Sequence, residues 1–309
     1  MGDDDSPRLK RLLGRLRWSP ASPPSDMPRP PVAFIHIPKT AGTTFHTILR
    51  KQYGQSSIAA VRAFTPDELE AQMQSLGVAD RADPDVEAVS GHMIFGAHRY
   101  LDGPLQYLTF VREPVSRVIS DYYYVRRTPD HDFYDPVVTE NYSLADYVVS
   151  GITIYTNNVQ TRMISGIGRD VDFGDCTSDM LDRALHNLDE HFAGIGLTER
   201  FDESVTLMQR KLGWSLPMYK TRNRTKKRPG RAEIPDATRT LIREHNALDL
   251  KLYQYAKERF HRERSKQEED AFERDLRRLH LVNRIYSPSV KLYISLRKAV
   301  NRLLGRDSW

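Results

Sequence analysis

Two short segments of the chain combine cationic side chains, hydroxyls and turn residues in a pattern suited to anions. The first is Pro38-Lys39-Thr40-Ala41-Gly42-Thr43-Thr44. Lys39 can reach a phosphate or a bridging oxygen as a point charge. Gly42 allows the backbone to approach an oxyanion, and Thr43 and Thr44 place two hydroxyls at the start of a helix. The segment from Lys39 to Thr44 is therefore predicted to bind a phosphate.

A metal ion is not expected in this loop. It lacks the complete Gly-x-x-x-x-Gly-Lys-Ser/Thr pattern, whose last hydroxyl would hold magnesium. Cys176 is the only cysteine of the chain, which excludes an internal disulfide and a zinc site built from cysteines. We therefore predict phosphate binding without a required metal.

The second anion-binding segment begins with Arg112, directly after the apolar stretch 107–111. If a helix begins near residue 114, then Ser116, Ser120 and Tyr124 share one of its faces. An arginine and a serine hydroxyl can together bind a second, separate phosphate. Two phosphate sites at two strand ends suit a nucleotide phosphorylated on both its 5′ and 3′ sides, such as 3′-phosphoadenosine 5′-phosphosulfate (PAPS).

A histidine is the best candidate for a general base, because its ordinary pKa lies near neutral pH. His92 follows the apolar stretch 86–89 and Gly91, which predicts a position at a strand end near both anion-binding turns. A lone histidine is more often a structural or surface residue, and we favour that interpretation for His36, His46 and His98.

Strands and helices alternate along the chain, and this order would position the two turns. Apolar stretches predict strands at 32–37, 107–111 and 192–197. Each stretch is followed by a helical pattern, and residues 235–280 are also predicted to be helical. The order predicts an α/β fold, a three-layer sandwich with a central, mainly parallel sheet and extra C-terminal helices. Ligands of such sheets bind at the carboxyl ends of the strands, where both turns would lie.

Composition is consistent with an anionic ligand. Among 309 residues, 46 Lys and Arg outnumber 41 Asp and Glu, and the pI is about 9.2. A nucleotide, an acidic glycan, a nucleic acid or a lipid surface would fit this charge. No stretch reaches the roughly 18–20 apolar residues that a membrane-spanning helix needs, and no apolar core of a secretory signal is present. With the single cysteine, these features predict a cytoplasmic protein.

Several segments resemble the carbohydrate sulfotransferase family that includes heparan sulfate 2-O-sulfotransferase. Residues 34–44 are similar to its 5′-phosphosulfate loop, and residues 110–124 to its 3′-phosphate strand and helix. Four further segments are also similar: Ser90-Gly91-His92-Met93, Asn158-Val159-Gln160-Thr161-Arg162, Gly196-Leu197-Thr198-Glu199-Arg200-Phe201 and Asn246-Ala247-Leu248-Asp249. The resemblance covers about residues 32–262.

The resemblance implies a sulfotransferase fold related to nucleotide kinases and in-line transfer of the sulfuryl group from PAPS to a hydroxyl of a carbohydrate. The products are 3′-phosphoadenosine 5′-phosphate (PAP) and a sulfate ester. In that family a Gly-His pair supplies the base, which corresponds to His92; the heparan sulfate enzyme has a second histidine where this chain has Ser90. Lys39 is the implied electrostatic catalyst, and Arg112 and Ser120 the implied 3′-phosphate ligands.

The basic run 220–230 contains six Lys and Arg residues. By its resemblance to a cofactor-covering loop, we predict that it closes over PAPS, with Arg224 as a cofactor ligand, or attracts an anionic acceptor. A solvated loop is the alternative. The predicted division is a basic, proline-rich segment at 1–31, a sulfotransferase domain at 32–262 and a basic helical extension at 263–309.

Both termini carry apolar stripes among basic residues. These stripes are formed by Leu9, Leu12, Leu13 and Leu16, and by Val290, Tyr293, Leu296, Val300 and Leu303. Packing on the protein body or on a second subunit is the simpler interpretation, and peripheral contact with the inner face of an anionic membrane is the alternative.

Two other functions fit parts of the sequence. A small-molecule kinase that uses ATP and magnesium would share the fold and the first loop. A non-catalytic module for an acidic glycan or a nucleic acid would explain the pI but neither turn. We predict a glycan acceptor and no nucleic acid partner, while the identity of the sugar and the oligomeric state stay open.

Overall fold

The computed structural model describes residues 31–76, 86–101, 103–219 and 233–285. Within these residues the chain forms one parallel sheet of five strands in the order β2-β3-β1-β4-β5. The strands are β1 (Val32–Ile35), β2 (Ile58–Ala63), β3 (Ala88–Met93), β4 (Gln106–Val111) and β5 (Phe192–Leu197).

Helices cover both faces of this sheet. Those of the described residues are α1 (Gly42–Tyr53), α2 (Pro66–Ser75), α3 (Pro114–Val125), α4 (Tyr134–Thr139), α5 (Leu144–Val149), α6 (Val159–Ser165), α7 (Ser178–His191), α8 (Phe201–Leu212), α9 (Asp236–His245), α10 (Ala247–Ser265) and α11 (269–285). Short 3-10 turns occupy Ala97–Tyr100, Ile154–Thr156 and Thr198–Arg200.

The central strand shows why the protein has three layers. All four residues of β1 are buried, and they alternate between two apolar cores. Ala33 and Ile35 belong to one core, whereas Val32 and Phe34 belong to the other. Because successive side chains of a strand point to opposite faces, the two cores lie on opposite sides of the sheet. The predicted three-layer α/β fold with a parallel sheet is confirmed.

The structure also refines the predicted elements. β1 ends at Ile35, two residues before the end of the apolar run, because the chain then leaves the sheet to form the loop at residues 38–44. α1 ends at Tyr53, and the C-cap residue Gly54 has a φ of +83°, which glycine readily adopts. β2 and α2 were not predicted, since β2 alternates buried and exposed residues instead of forming an apolar run.

The strand order brings the predicted site residues together. β3 and β4 are the two direct neighbours of β1. The loop after β1, the end of β3 with His92 and the turn after β4 with Arg112 therefore meet at one edge of the sheet.

The described part of the C-terminal region packs on the same cores. Phe272 and Leu279 of α11 are fully buried, in the first and second core respectively. The limit predicted at residue 262 lies inside α10, and the domain division stays a prediction. Both terminal stripes and Arg224 with its basic run lie outside the described residues. None of the helices described here is long and apolar enough to cross a membrane.

Candidate active site

The loop between β1 and α1 has a tightly bent backbone. Lys39 and Ala41 both have a φ of +68°, a left-handed conformation that costs a residue with a side chain roughly 1–2 kcal/mol. Between them, the fully buried Thr40 donates its hydroxyl hydrogen to the carbonyl oxygen of Ile37 at 2.8 Å. The Thr40 side chain therefore fixes the shape of the loop from within.

Gly42 has a steric role that the sequence did not suggest. A Cβ atom at this position would lie 1.9 Å from Cδ2 of His36. The missing side chain therefore makes room for the His36 imidazole, while the predicted approach to an oxyanion stays a prediction.

Backbone donors at the start of α1 are available to a ligand. Ala41 occupies the N-cap position and its side chain makes no capping hydrogen bond. Among the hydrogen bonds of residues 31–76, 86–101, 103–219 and 233–285, none uses the backbone N–H of residues 39–43 as its donor. Unpaired N–H groups at a helix N-terminus attract anions. The loop therefore fits the phosphate that the sequence predicted for it.

The turn after β4 differs, because its helix is already capped. The Glu113 carboxylate accepts hydrogen bonds from the backbone N–H groups of Val115 and Ser116. An anion at this turn would therefore have to be bound by side chains. Arg112 and the buried Ser120 are the ones that the sequence predicted.

Direct contacts join the two turns. Nη1 of Arg112 donates to the carbonyl oxygen of Lys39 at 3.0 Å. Nζ of Lys39 lies 3.6 Å from the ring centroid of Tyr124 on α3, one helical turn beyond Ser120. The structure thus brings Lys39 and Arg112 together, beside the helix α3 that carries Ser120.

A buried glutamine holds the backbone of Arg112. The Arg112 N–H donates to Oε1 of Gln160 at 2.9 Å, and Nε2 of Gln160 donates to the Arg112 carbonyl oxygen at 2.9 Å. Gln160 lies at the start of α6, where the fully buried Asp249 accepts from the backbone N–H groups of Gln160 and Thr161. Asp249 and Gln160 therefore position the end of β4.

The hydrogen bond of His92 determines which of its nitrogens can act as a base. Nδ1 of His92 lies 2.7 Å from the carbonyl oxygen of His36. Because a carbonyl oxygen only accepts, Nδ1 carries the proton and Nε2 of the neutral ring keeps its lone pair. Burial lowers the pKa of His92, partly opposed by this hydrogen bond. The ring is therefore neutral at neutral pH and able to accept a proton.

Two further histidines accompany His92. The rings of His36 and His92 are stacked with centroids 4.2 Å apart, and burial, then the charge of His92, lowers the pKa of His36 to about 3. Nδ1 of His46 on α1 lies 2.9 Å from the Ser90 hydroxyl. His46 thus brings an imidazole next to Ser90, on the strand β3 that carries His92.

Lys39 is unusually easy to deprotonate. Burial lowers its pKa to about 8, partly opposed by Asp121, while Arg127, Arg112 and Arg117 lower it further. An anionic ligand would raise this pKa again, because an opposite charge favours the ammonium form.

Sequence reasoning missed several residues of this region. His36 and His46 lie beside His92, although we favoured structural or surface roles for them. His98 lies elsewhere, 2.9 Å from the Tyr107 hydroxyl. Gln160 and Asp249 occur in segments that resemble the sulfotransferase family, but only their contacts show what they hold.

Arg162, in the same family-like segment, has a structural role. It is fully buried and donates to the backbone oxygens of Asn157, Gly168 and Asp172. The described residues contain no group of three or more His, Cys, Asp or Glu side chains that could hold a metal ion.

The structure is that of an α/β protein in which the loop after the central strand, with free backbone N–H groups at residues 39–43 among the described residues, contacts the turn that carries Arg112. The family model described as galactose-3-O-sulfotransferase matches residues 16–290. The chain belongs to this family.

Two solved structures show a weaker similarity. One is mouse sulfotransferase SULT7A1 complexed with PAP, with 13% identity, a TM-score of 0.35, and coverage of 62% of this chain and 61% of that one. The other is retinol dehydratase in complex with androsterone and inactive cofactor PAP, with 14% identity, a TM-score of 0.27, and coverage of 73% and 82%. No curated protein matches the chain.

Proposed function

We propose that this protein transfers the sulfuryl group of PAPS to a hydroxyl of a saccharide. The observation that carries the proposal is the contact between the two turns, in which Arg112 donates to the Lys39 carbonyl oxygen. This contact brings the loop at residues 38–44 and the turn at Arg112 together, which supports binding of a nucleotide with separate 5′ and 3′ phosphates. Family membership supports sulfuryl transfer, and the family name supports a sugar acceptor.

Each residue has a distinct role in this proposal. The backbone N–H groups of residues 39–43 would bind the 5′ side of PAPS, which supplies the sulfuryl group. Arg112 and Ser120 would bind the 3′-phosphate. Lys39 would neutralise charge at the bridging oxygen, where negative charge grows during transfer. Nε2 of His92 would take the proton of the attacking hydroxyl.

Thermal stabilisation in the presence of EDTA tests the nucleotide half of this proposal. PAP at 100 times its dissociation constant should stabilise the native protein by about 2.7 kcal/mol, and ADP much less. Arg112→Ala should lose most of this response. The control Arg183→Ala alters an exposed arginine of α7 and should keep it.

Two results would count against the proposal. Stabilisation by ATP with magnesium but not by PAP would favour a kinase. Stabilisation by PAP that Arg112→Ala leaves unchanged would remove the assigned 3′-phosphate site. If PAP binds as expected, radiolabelled PAPS and a panel of saccharides then test the transfer reaction itself.

A further inference from the structure

A cleft beside the proposed base is built from one face of α1 and the edge of the sheet. It has a volume of about 450 Å³ and is lined by His36, Thr43, His46, Thr47, Arg50, Ala60, Val61, Arg62, Gln72, Ser90, Gly91 and His92. This volume falls within the range of small-molecule sites. We call it the histidine cleft.

The histidine cleft lies where an acceptor hydroxyl has to arrive. Thr43 belongs to the anion-binding loop and His92 is the proposed base, and both line the cleft. On β3 and β2, Ser90 is paired with Ala60 and His92 with Arg62. Paired residues of neighbouring strands lie on the same face of a sheet, so Arg62 stands directly beside the base.

The positive charge of the cleft is supplied by two arginines. Arg50 follows His46 and Thr47 on the same face of α1 at spacings of four and three residues. Among the described residues that line the cleft, none is an aspartate or a glutamate. His36, His46 and His92 are neutral at neutral pH, because burial lowers the pKa of each. A ligand in this cleft therefore meets cations that no lining carboxylate balances.

The ion pair between Arg62 and Asp132 does not block this role. Its Nη2 lies 3.8 Å from Oδ2 of Asp132, and the two side chains are 73% and 77% exposed. Such exposed pairs contribute little to stability, so a ligand anion can replace Asp132. A ligand anion bound to Arg62 would also offset its charge, which is one of the charges that lower the pKa of His92. The pKa of His92 would then rise, and His92 would be a stronger base once substrate is bound.

We infer that the acceptor is an anionic saccharide, whose carboxylate or sulfate is bound by Arg50 and Arg62 while a neighbouring hydroxyl faces His92. This inference rests on the proposed function and specifies its acceptor. A neutral galactoside is the competing acceptor that the family name suggests.

Binding of saccharides to the protein saturated with PAP tests the inference without turnover. The probes are N-acetyllactosamine, its 6-O-sulfated form and a chondroitin tetrasaccharide, measured by isothermal titration calorimetry. We expect the two anionic probes to bind at least about tenfold tighter than the neutral one. Raising the salt concentration should reduce this preference, because the arginines are exposed.

Substitutions locate the preference within the protein. Arg50→Gln and Arg62→Gln should each bring anionic and neutral probes closer in affinity, and the double variant should abolish the difference. Arg183→Gln, on the exposed face of α7, should leave it unchanged. The affinity for PAP should be the same in all these variants, which shows that they remain folded.

The outcomes separate the two proposals. Equal or tighter binding of the neutral probe, no binding of either anionic probe, or an unchanged preference in the double variant overturns the inference while PAP binding stays intact. Failure of the wild-type protein to bind PAP instead overturns the proposed function.

Discussion

Replacing Gln160 with methionine should weaken recognition of the 3′-phosphate through Arg112, which Gln160 positions. Gln160 is fully buried and makes two hydrogen bonds of 2.9 Å with the backbone of Arg112. Methionine has a similar size but offers neither the amide donor nor the carbonyl acceptor. The substitution therefore removes the two hydrogen bonds with little change in packing volume.

The expected cost follows from these two bonds. A buried polar group that loses its partner costs about 1–3 kcal/mol. Because Arg112 is only partly buried, water can replace part of each bond, and we expect about 1 kcal/mol for each, or about 2 kcal/mol in all. If the whole of this loss were taken from PAP binding, the dissociation constant for PAP would rise about 30-fold.

The assay must separate recognition from stability. Dissociation constants for PAP and for AMP, which lacks the 3′-phosphate, give the contribution of that phosphate as their ratio. Gln160→Met should reduce this ratio about tenfold or more, whereas denaturant unfolding measures the stability loss separately. The matched control is Gln209→Met, because Gln209 is buried on α8 and its Oε1 accepts no hydrogen bond among the described residues.

One outcome would show that Gln160 does not act on the proposed 3′-phosphate site. If Gln160→Met unfolds at lower denaturant concentration but keeps the wild-type ratio of PAP and AMP affinities, Gln160 is structural and does not position Arg112 for a phosphate.

Three further predictions follow from the site. The dependence of kcat/KM for PAPS on pH should be bell-shaped: the rate falls at low pH as His92, whose pKa burial lowers, becomes protonated, and falls above about pH 8 as Lys39 loses its proton. Lys39→Arg should move the alkaline decline of kcat/KM to higher pH, because a guanidinium group does not titrate in this pH range. If the alkaline decline is unchanged, it belongs to a group other than Lys39. His92→Asn should lower kcat at least about 100-fold with little change in the Kd of PAP, and comparable turnover would exclude His92 as the base. Gly42→Ala should destabilise the fold by about 1–3 kcal/mol, measured by denaturant unfolding, because its Cβ would collide with the His36 ring; an unchanged midpoint would show that the ring moves aside freely.

Local sequence patterns were sufficient to locate the loop at residues 38–44, the turn at Arg112 and most of the sheet. The loop at residues 38–44 depends on neighbouring residues, since Thr40 bonds to Ile37 only three positions away. Apolar runs marked β1, β4 and β5, because these strands are buried on both faces. β2 was not predicted, because Ala60 and Arg62 are exposed in it and the strand therefore does not form an apolar run.

Sequence patterns alone therefore predicted the α/β fold, the position of the loop at residues 38–44, and Arg112, Ser120 and His92 as candidate site residues. Only the tertiary structure showed that His36 and His46 flank His92, that Glu113 already caps α3, and that Gln160 holds Arg112. The reason is the distance along the chain. His46 meets Ser90 across 44 positions, Gln160 meets Arg112 across 48, and Asp249 meets Gln160 across 89. No local pattern of residues specifies contacts at such separations, because they form only when the strands have taken their order in the sheet.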